Sequence, residues 1–237
     1  MSWGVLADEL IGLLRLEVPP IAITFSKERP PGVGDFDEPM PDPTPDGRTG
    51  RVPAGCVFWM KGADRTFTTV PADHGNCSVG SLTHGLIDLA EAAGRADVAA
   101  LVQAGWVSDD MFPAIPTISE RPSYITYGPL ADTPVDPTVV LLRVNAKQLM
   151  TISDAMGGLR IEGKPQCHII PIAAEQGEAA ASVGCALSRV RTGMKPHEMT
   201  CAIPAAQLGG FVEALRRTVE ADATVTTYAG EDKRRFG

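Results

Sequence analysis

The chain has 237 residues, with 29 Asp and Glu against 21 Lys and Arg and a formal net charge of −8. That balance excludes the clustered cationic surface that nucleic-acid backbones and anionic membranes require, so neither is an expected partner. No run of about 18 apolar residues occurs, and Asp8, Glu9, Arg15 and Glu17 break the N-terminal segment where a signal peptide would be apolar. The expected location is therefore cytoplasmic, a compartment in which five cysteines are more often thiols or ligands than disulfides.

In chain order, residues 3–17 fit an amphipathic helix with Leu6, Leu10, Leu13 or Leu14, and Leu16 on the apolar side. That helix is a candidate homodimer contact. Pro19 and Pro20 end it, and IAITF (21–25) reads as a strand. Residues 29–55 are dominated by Pro, Gly and Asp and predict an inserted loop with little apolar surface to bury. CVFWM (56–60) and TFTTV (66–70) read as short strands. SLTHGLIDLAEAAG (81–94) and ADVAALVQAGW (96–106) read as helices.

TVVLLRV (138–144) is a continuous apolar run, the pattern of a strand buried on both faces. AKQLMTISDAMGG (146–158) is a helix with a glycine stop. QCHIIPIAAEQGEAAASVGCALSRVRTGM (166–194) reads as strand, helix or loop, then strand, the last over CALSRVRTGM (185–194), and TCAIPAA followed by QLGGFVEALRRTVEA as a strand feeding a helix. Alternation of strands and helices predicts one α/β or α+β domain over residues 1–228, a mixed sheet flanked by helices, with 229–237 as a flexible tail.

The chemistry-bearing residues gather around cysteines. In PADHGNCSVGSLTHGL (71–86), Cys77 stands just before a helical run, between Gly75 and Gly80. A helix start offers free N–H groups and a positive dipole end, which favour a thiolate, an anionic cluster or a phosphate. Cys56 and Cys77 form one loose pair, and Cys167 and Cys185 another. Four thiolates brought together by the fold would suit a tetrahedral zinc or a cubane cluster. The absence of any C-x-x-C knuckle argues against the usual structural zinc signature. Cys201 falls on an apolar strand pattern and reads as core.

His74, Asn76 and His168 lie close in sequence to these cysteines and are candidates for proton transfer and orientation. His84 flanks the site on its helix, and His197 has no apolar frame. Arg189 and Arg191, placed on one face of the expected strand, form a candidate fork for a carboxylate or phosphate, Arg189 being the preferred anion-binding residue. The dinucleotide, P-loop, H-E-x-x-H and G-x-S-x-G motifs are all absent.

Several of these segments together resemble one family. The N-terminal helix followed by PPIAITF, the cysteines at 56 and 77, TVVLLRVNAKQLMTISDA, Cys167, CALSRVR and TCAIPAA are similar to the pattern of the domain of unknown function 169 family. The resemblance implies an architecture and four cysteine positions that converge, and it implies no reaction. The insertion at 29–55 and Cys201 depart from the pattern.

The leading functional expectation is an enzyme with a 4Fe-4S cluster on Cys56, Cys77, Cys167 and Cys185. An open iron would act without redox change on a small anionic substrate, in a lyase, hydrolase or desulfidase type of reaction. Full cysteine ligation would instead favour electron transfer. The other readings are a structural zinc module, a metal-free enzyme with Cys77 as nucleophile and His74 or His168 as base, and a small-molecule binding domain whose cysteines are all core.

Overall fold

The computed structural model describes residues 1–38 and 55–236; most of the proline-rich insertion, 39–54, lies outside the described residues. The elements follow in order as helix α1 (Trp3–Leu14), strand β1 (Ile21–Ser26), helix α2 (Gly55–Lys61), strand β2 (Phe67–Thr69), and helices α3 (Ser78–Thr83), α4 (Leu89–Ala93) and α5 (Ala96–Gln103). Strands β3 (Tyr124–Pro129) and β4 (Val139–Val144), helix α6 (Ala146–Met156), strand β5 (Arg160–Glu162), helix α7 (Ile169–Glu175) and strand β6 (Ala180–Ser182) come next. Helix α8 (Ala186–Thr192), strand β7 (Met199–Pro204) and the long helix α9 (Leu208–Phe236) close the chain.

All seven strands form one sheet in the order β2-β3-β1-β4-β7-β6-β5. Every neighbouring pair is antiparallel except β5 with β6. The fold is thus a mixed α/β architecture around a single mixed sheet, as the alternation of elements predicts.

Strand alternation divides the core between the two faces of the sheet. Val139 and Leu141 of β4 join Ile21 and Ile23 of β1 on one face, with Phe58, Trp59, Val79, Ile169 and Ile172 packed over them. Val140, Leu142 and Val144 join Ala22, Cys201 and Ile203 on the other, under Leu6, Leu10, Ile152 and Leu215 from α1, α6 and α9. Residues 139–142 are fully buried, so β4 shows no polar alternation in the sequence. The apolar side of α1 is spent inside the chain against α9, with Leu6, Leu10, Leu14 and Leu16 buried.

Local chemistry explains most of the boundaries. The Ser2 side chain accepts from the Val5 N–H at the start of α1. Asn145 and Gln148 form a reciprocal cap at the start of α6, and Gly157 ends it in the left-handed conformation. The expected helix over 81–94 is two helices. Gly85 turns the chain at φ +69°, where an added Cβ would sit 2.4 Å from the Ile118 carbonyl oxygen, and Asp88 with Glu91 caps the start of α4.

The strand expected at the start of 166–194 is a 3-10 turn running into α7, and two further expected strands are helices. Residues 56–60 belong to α2, where Gly55, Phe58, Trp59 and Gly62 are the buried positions, a spacing of i, i+3, i+4, i+7. Residues 185–192 form α8 with its cap, and Cys185 and Ser188 face inward. In both segments a short apolar run satisfies either period by eye, and the helical spacing decides. The described part of the insertion also buries more than its composition suggests. Val33 is buried, and Phe36 packs edge-on against Phe58 with ring centroids 5.0 Å apart. Residues 229–236, expected as a tail, continue α9, and the side chains described there are exposed or half-exposed.

Leu141 lies at the centre of the sheet with no exposed surface. Leu141→Ala should lower unfolding free energy by about 2–5 kcal/mol in urea titration, whereas Val190→Ala, at a position 87% exposed, should change it by less than about 0.5 kcal/mol.

Candidate functional site: a four-thiol cavity

Four of the five cysteines start helices on the same face of the sheet. Cys56 is the second residue of α2, and Cys77 is the N-cap of α3. Cys167 sits in the single 3-10 turn that leads into α7, and Cys185 is the N-cap of α8. Neither Cys77 nor Cys185 spends its side chain on capping.

The four residues line one cavity, together with Gly55, Gly80, His84, Trp106, Gln166, Leu187, Ser188 and Arg191. Among the described residues no three His, Cys, Asp or Glu side chains are grouped closely enough to hold a single metal ion. The thiols surround a space rather than a point. Cys201 is elsewhere, fully buried on the opposite face, with its thiol pushed up to about 12 by burial.

Electrostatics keep two of the bare thiols, Cys56 and Cys167, protonated. Burial pushes the Cys56 thiol up to about 11; a Ser188 hydrogen bond and the Arg191 charge pull it down, while Cys77 and Cys185 push it further up. Burial, followed by the Cys77 neighbour, drives Cys167 well above the ordinary thiol value. Desolvation and mutual repulsion thus both oppose ionisation. A positively charged centre between the sulfurs would reverse both. Ser188 is itself held by Gln166, whose Nε2 donates to the Ser188 Oγ at 2.6 Å.

The expected acid–base and anion-binding residues are only partly assembled here. His74 lies behind the wall, fully buried against Phe58 with ring centroids 4.7 Å apart. The Thr69 hydroxyl already donates to the Ile125 carbonyl, so the His74 Nε2 donates to Thr69 at 2.9 Å. Burial, and then His84, holds His74 neutral. Asn76 is half-buried in the turn before Cys77 and does not line the cavity.

His168 follows Cys167 but faces a neighbouring cavity with Arg160 and Glu162, its Nδ1 3.7 Å from a Glu162 carboxylate oxygen. The two cavities share Val79 and Pro165 in their walls.

Arg189 is a clip rather than a fork. Its guanidinium donates to the carbonyls of Lys195, Val183 and Glu198 at 2.5, 2.8 and 2.9 Å. It also fills the space where a Cβ on Gly184 would lie, 2.9 Å from Nη2, with Gly184 at φ +113°. Because α8 is a helix, Arg189 and Arg191 do not share a face, and Arg191 is the arginine in the cavity wall. No salt bridge or side-chain hydrogen bond engages Arg191 among the described residues. Read with helical spacing, the two arginines fall on different sides of α8, and Arg191 sits three residues after Ser188, the residue whose side chain reaches Cys56. Gln166, adjacent to Cys167, and His84, four residues after Gly80, carried no comparable signal.

A separate polar pocket between Glu17, Arg143, Lys195 and Glu198 has its charges paired internally, Lys195 with Glu17 and Arg143 with Glu198.

In metal-free protein the raised Cys56 value makes its thiolate scarce at neutral pH. Alkylation of Cys56 by iodoacetamide, read by mass spectrometry, should therefore climb about tenfold per pH unit from pH 7 to pH 10 without levelling. A plateau near the ordinary thiol value would show that burial does not control this group.

Among the described residues no helix is long and apolar enough to cross a membrane. No curated protein and no solved structure matches the chain. A family model described as an uncharacterised ArCR (DUF169) matches residues 9–214, most of the chain and all four cavity cysteines. The chain belongs to the domain of unknown function 169 family.

Proposed function

We propose that the chain holds a 4Fe-4S cluster within the set Cys56, Cys77, Cys167 and Cys185 and acts on a small anionic molecule bound beside it. The observation that carries this reading is the lining of one cavity by four thiols that reach it from four different helix starts. The donor set suits iron and sulfide in kind, since clusters are held by thiolates. The helix starts add partial positive charge where a net negative cluster would sit.

When bound, such a group supplies Lewis-acid chemistry if one iron lacks a thiolate, and electron transfer if none does. The chain's own residues supply the rest. Ser188, fixed by Gln166, donates toward the Cys56 sulfur and stabilises its thiolate form. Arg191 is the cation available for an anionic group of the substrate, in place of Arg189. Trp106, Leu187 and Pro165 give the cavity apolar walls that limit water. This arrangement favours non-redox chemistry on a small anion, of lyase, hydrolase or desulfidase type. Ligand thiols of this kind go with a reducing, cytoplasmic setting.

Protein isolated without oxygen should be brown, absorb broadly in the visible, and contain about four iron and four acid-labile sulfide per chain. Loading should release protons, because raised thiols must ionise to bind. Colourless protein with one zinc per chain, or protein that takes up no metal under reconstitution with iron and sulfide, would overturn the reading.

A further inference from the structure

One side chain in the cavity wall is configured as a donor of electrons and has no partner. His84 is fully buried, with no exposed surface. Its Nδ1 lies 2.8 Å from the Gly80 carbonyl oxygen. A carbonyl only accepts, so Nδ1 carries the proton and Nε2 carries the lone pair. Thr83 reinforces this geometry: its hydroxyl donates to the same carbonyl at 2.9 Å and lies 3.1 Å from Nδ1.

The Nε2 atom is buried and meets no hydrogen-bond donor among the described residues, yet its residue lines the same cavity as the four thiols. An unpaired acceptor out of water is costly, and such groups call for an explanation. Gly55 lies against this edge of the ring, where an added Cβ would sit at ordinary contact distance, 3.7 Å from Nε2. A neutral imidazole with one nitrogen tied to a backbone carbonyl and the other unpaired, in a residue that lines a thiol-rich cavity, is the usual arrangement of a histidine metal ligand.

We propose that His84 is a ligand of the metal centre through Nε2, so that the cavity provides mixed thiolate and imidazole ligation. This inference rests on the cluster reading above. Five donors then face four iron positions, and His84 takes one of them in place of one of the four thiolates. An uncharged imidazole leaves a metal without stranding a buried negative charge, so the iron that His84 holds is the one an anionic substrate can reach. Arg191, in the same wall, is then placed to meet that anion.

The test uses the full chain produced with 15N-histidine in otherwise 14N medium, isolated without oxygen, reduced with dithionite and read by pulsed electron paramagnetic resonance. The expected result is a hyperfine coupling of directly bound 15N in the parent, lost in His84→Cys, whose added thiol keeps iron and sulfide in place. His168→Ala, which removes the imidazole next to Cys167, should retain the coupling, and this comparison decides the assignment even where His84→Cys fails to fold. No nitrogen coupling in a parent that holds about four iron and four sulfide overturns the His84 assignment and leaves the cluster reading standing. Coupling that survives in His84→Cys, or disappears in His168→Ala, overturns it as well. A parent without iron and sulfide overturns the cluster reading, and the assignment with it.

Discussion

The constraint on which the site depends is the convergence of four thiols, two of them buried and two half-buried, around a single space. Desolvation and mutual repulsion hold Cys56 and Cys167 in the neutral form when nothing stands between them. A thiol that is inert as a nucleophile in this state becomes a strong ligand once a cationic centre compensates the charge. The surrounding structure serves that compensation rather than ionisation of any one cysteine. The Cys77 nucleophile reading loses the bases expected for it, since His74 spends its Nε2 on Thr69 behind the wall and His168 faces a neighbouring cavity.

The fold makes the convergence rigid. A sheet with its centre at β1, β4 and β7 carries α1, α6 and α9 on one face, which leaves the other face to the shorter helices. Helices α2, α3, α7 and α8 each contribute a cysteine at or near their start. Side chains that resemble catalytic candidates are recruited to hold this arrangement. Arg189 ties three carbonyls around α8, and the backbone carbonyl of His74 accepts from the Ser81 hydroxyl at 2.6 Å. Asp97 accepts from both the backbone N–H and the hydroxyl of Ser78, one residue after Cys77. These bonds position the thiols and Arg191 without touching what the cavity would hold.

What the sequence reveals follows the strength of its local signals. Strands β1, β4 and β7 and helices α1 and α6 stand out, because continuous apolar runs, caps and proline or glycine stops all point the same way. Helices α2 and α8 are obscured, because a run of seven residues is short enough to satisfy a strand or a helix pattern. That error swaps Arg189 for Arg191, since only helical spacing separates them. The grouping of Cys56, Cys77, Cys167 and Cys185 spans 129 residues of chain (185 − 56) and no local pattern encodes it. His84 is hidden for a related reason: its tautomer depends on the Gly80 carbonyl, and its empty nitrogen depends on which wall it faces.

The most direct test of the account compares iron and sulfide content after anaerobic reconstitution in two variants of the full chain. In one, Cys56, Cys77, Cys167 and Cys185 are all replaced by serine; in the other, only Cys201 is replaced. The account predicts that the first takes up no cluster while retaining its helical circular dichroism, and that the second loads as fully as the parent. Cluster uptake by the first variant, or its loss in the second, would contradict the assignment of the cavity as the metal centre.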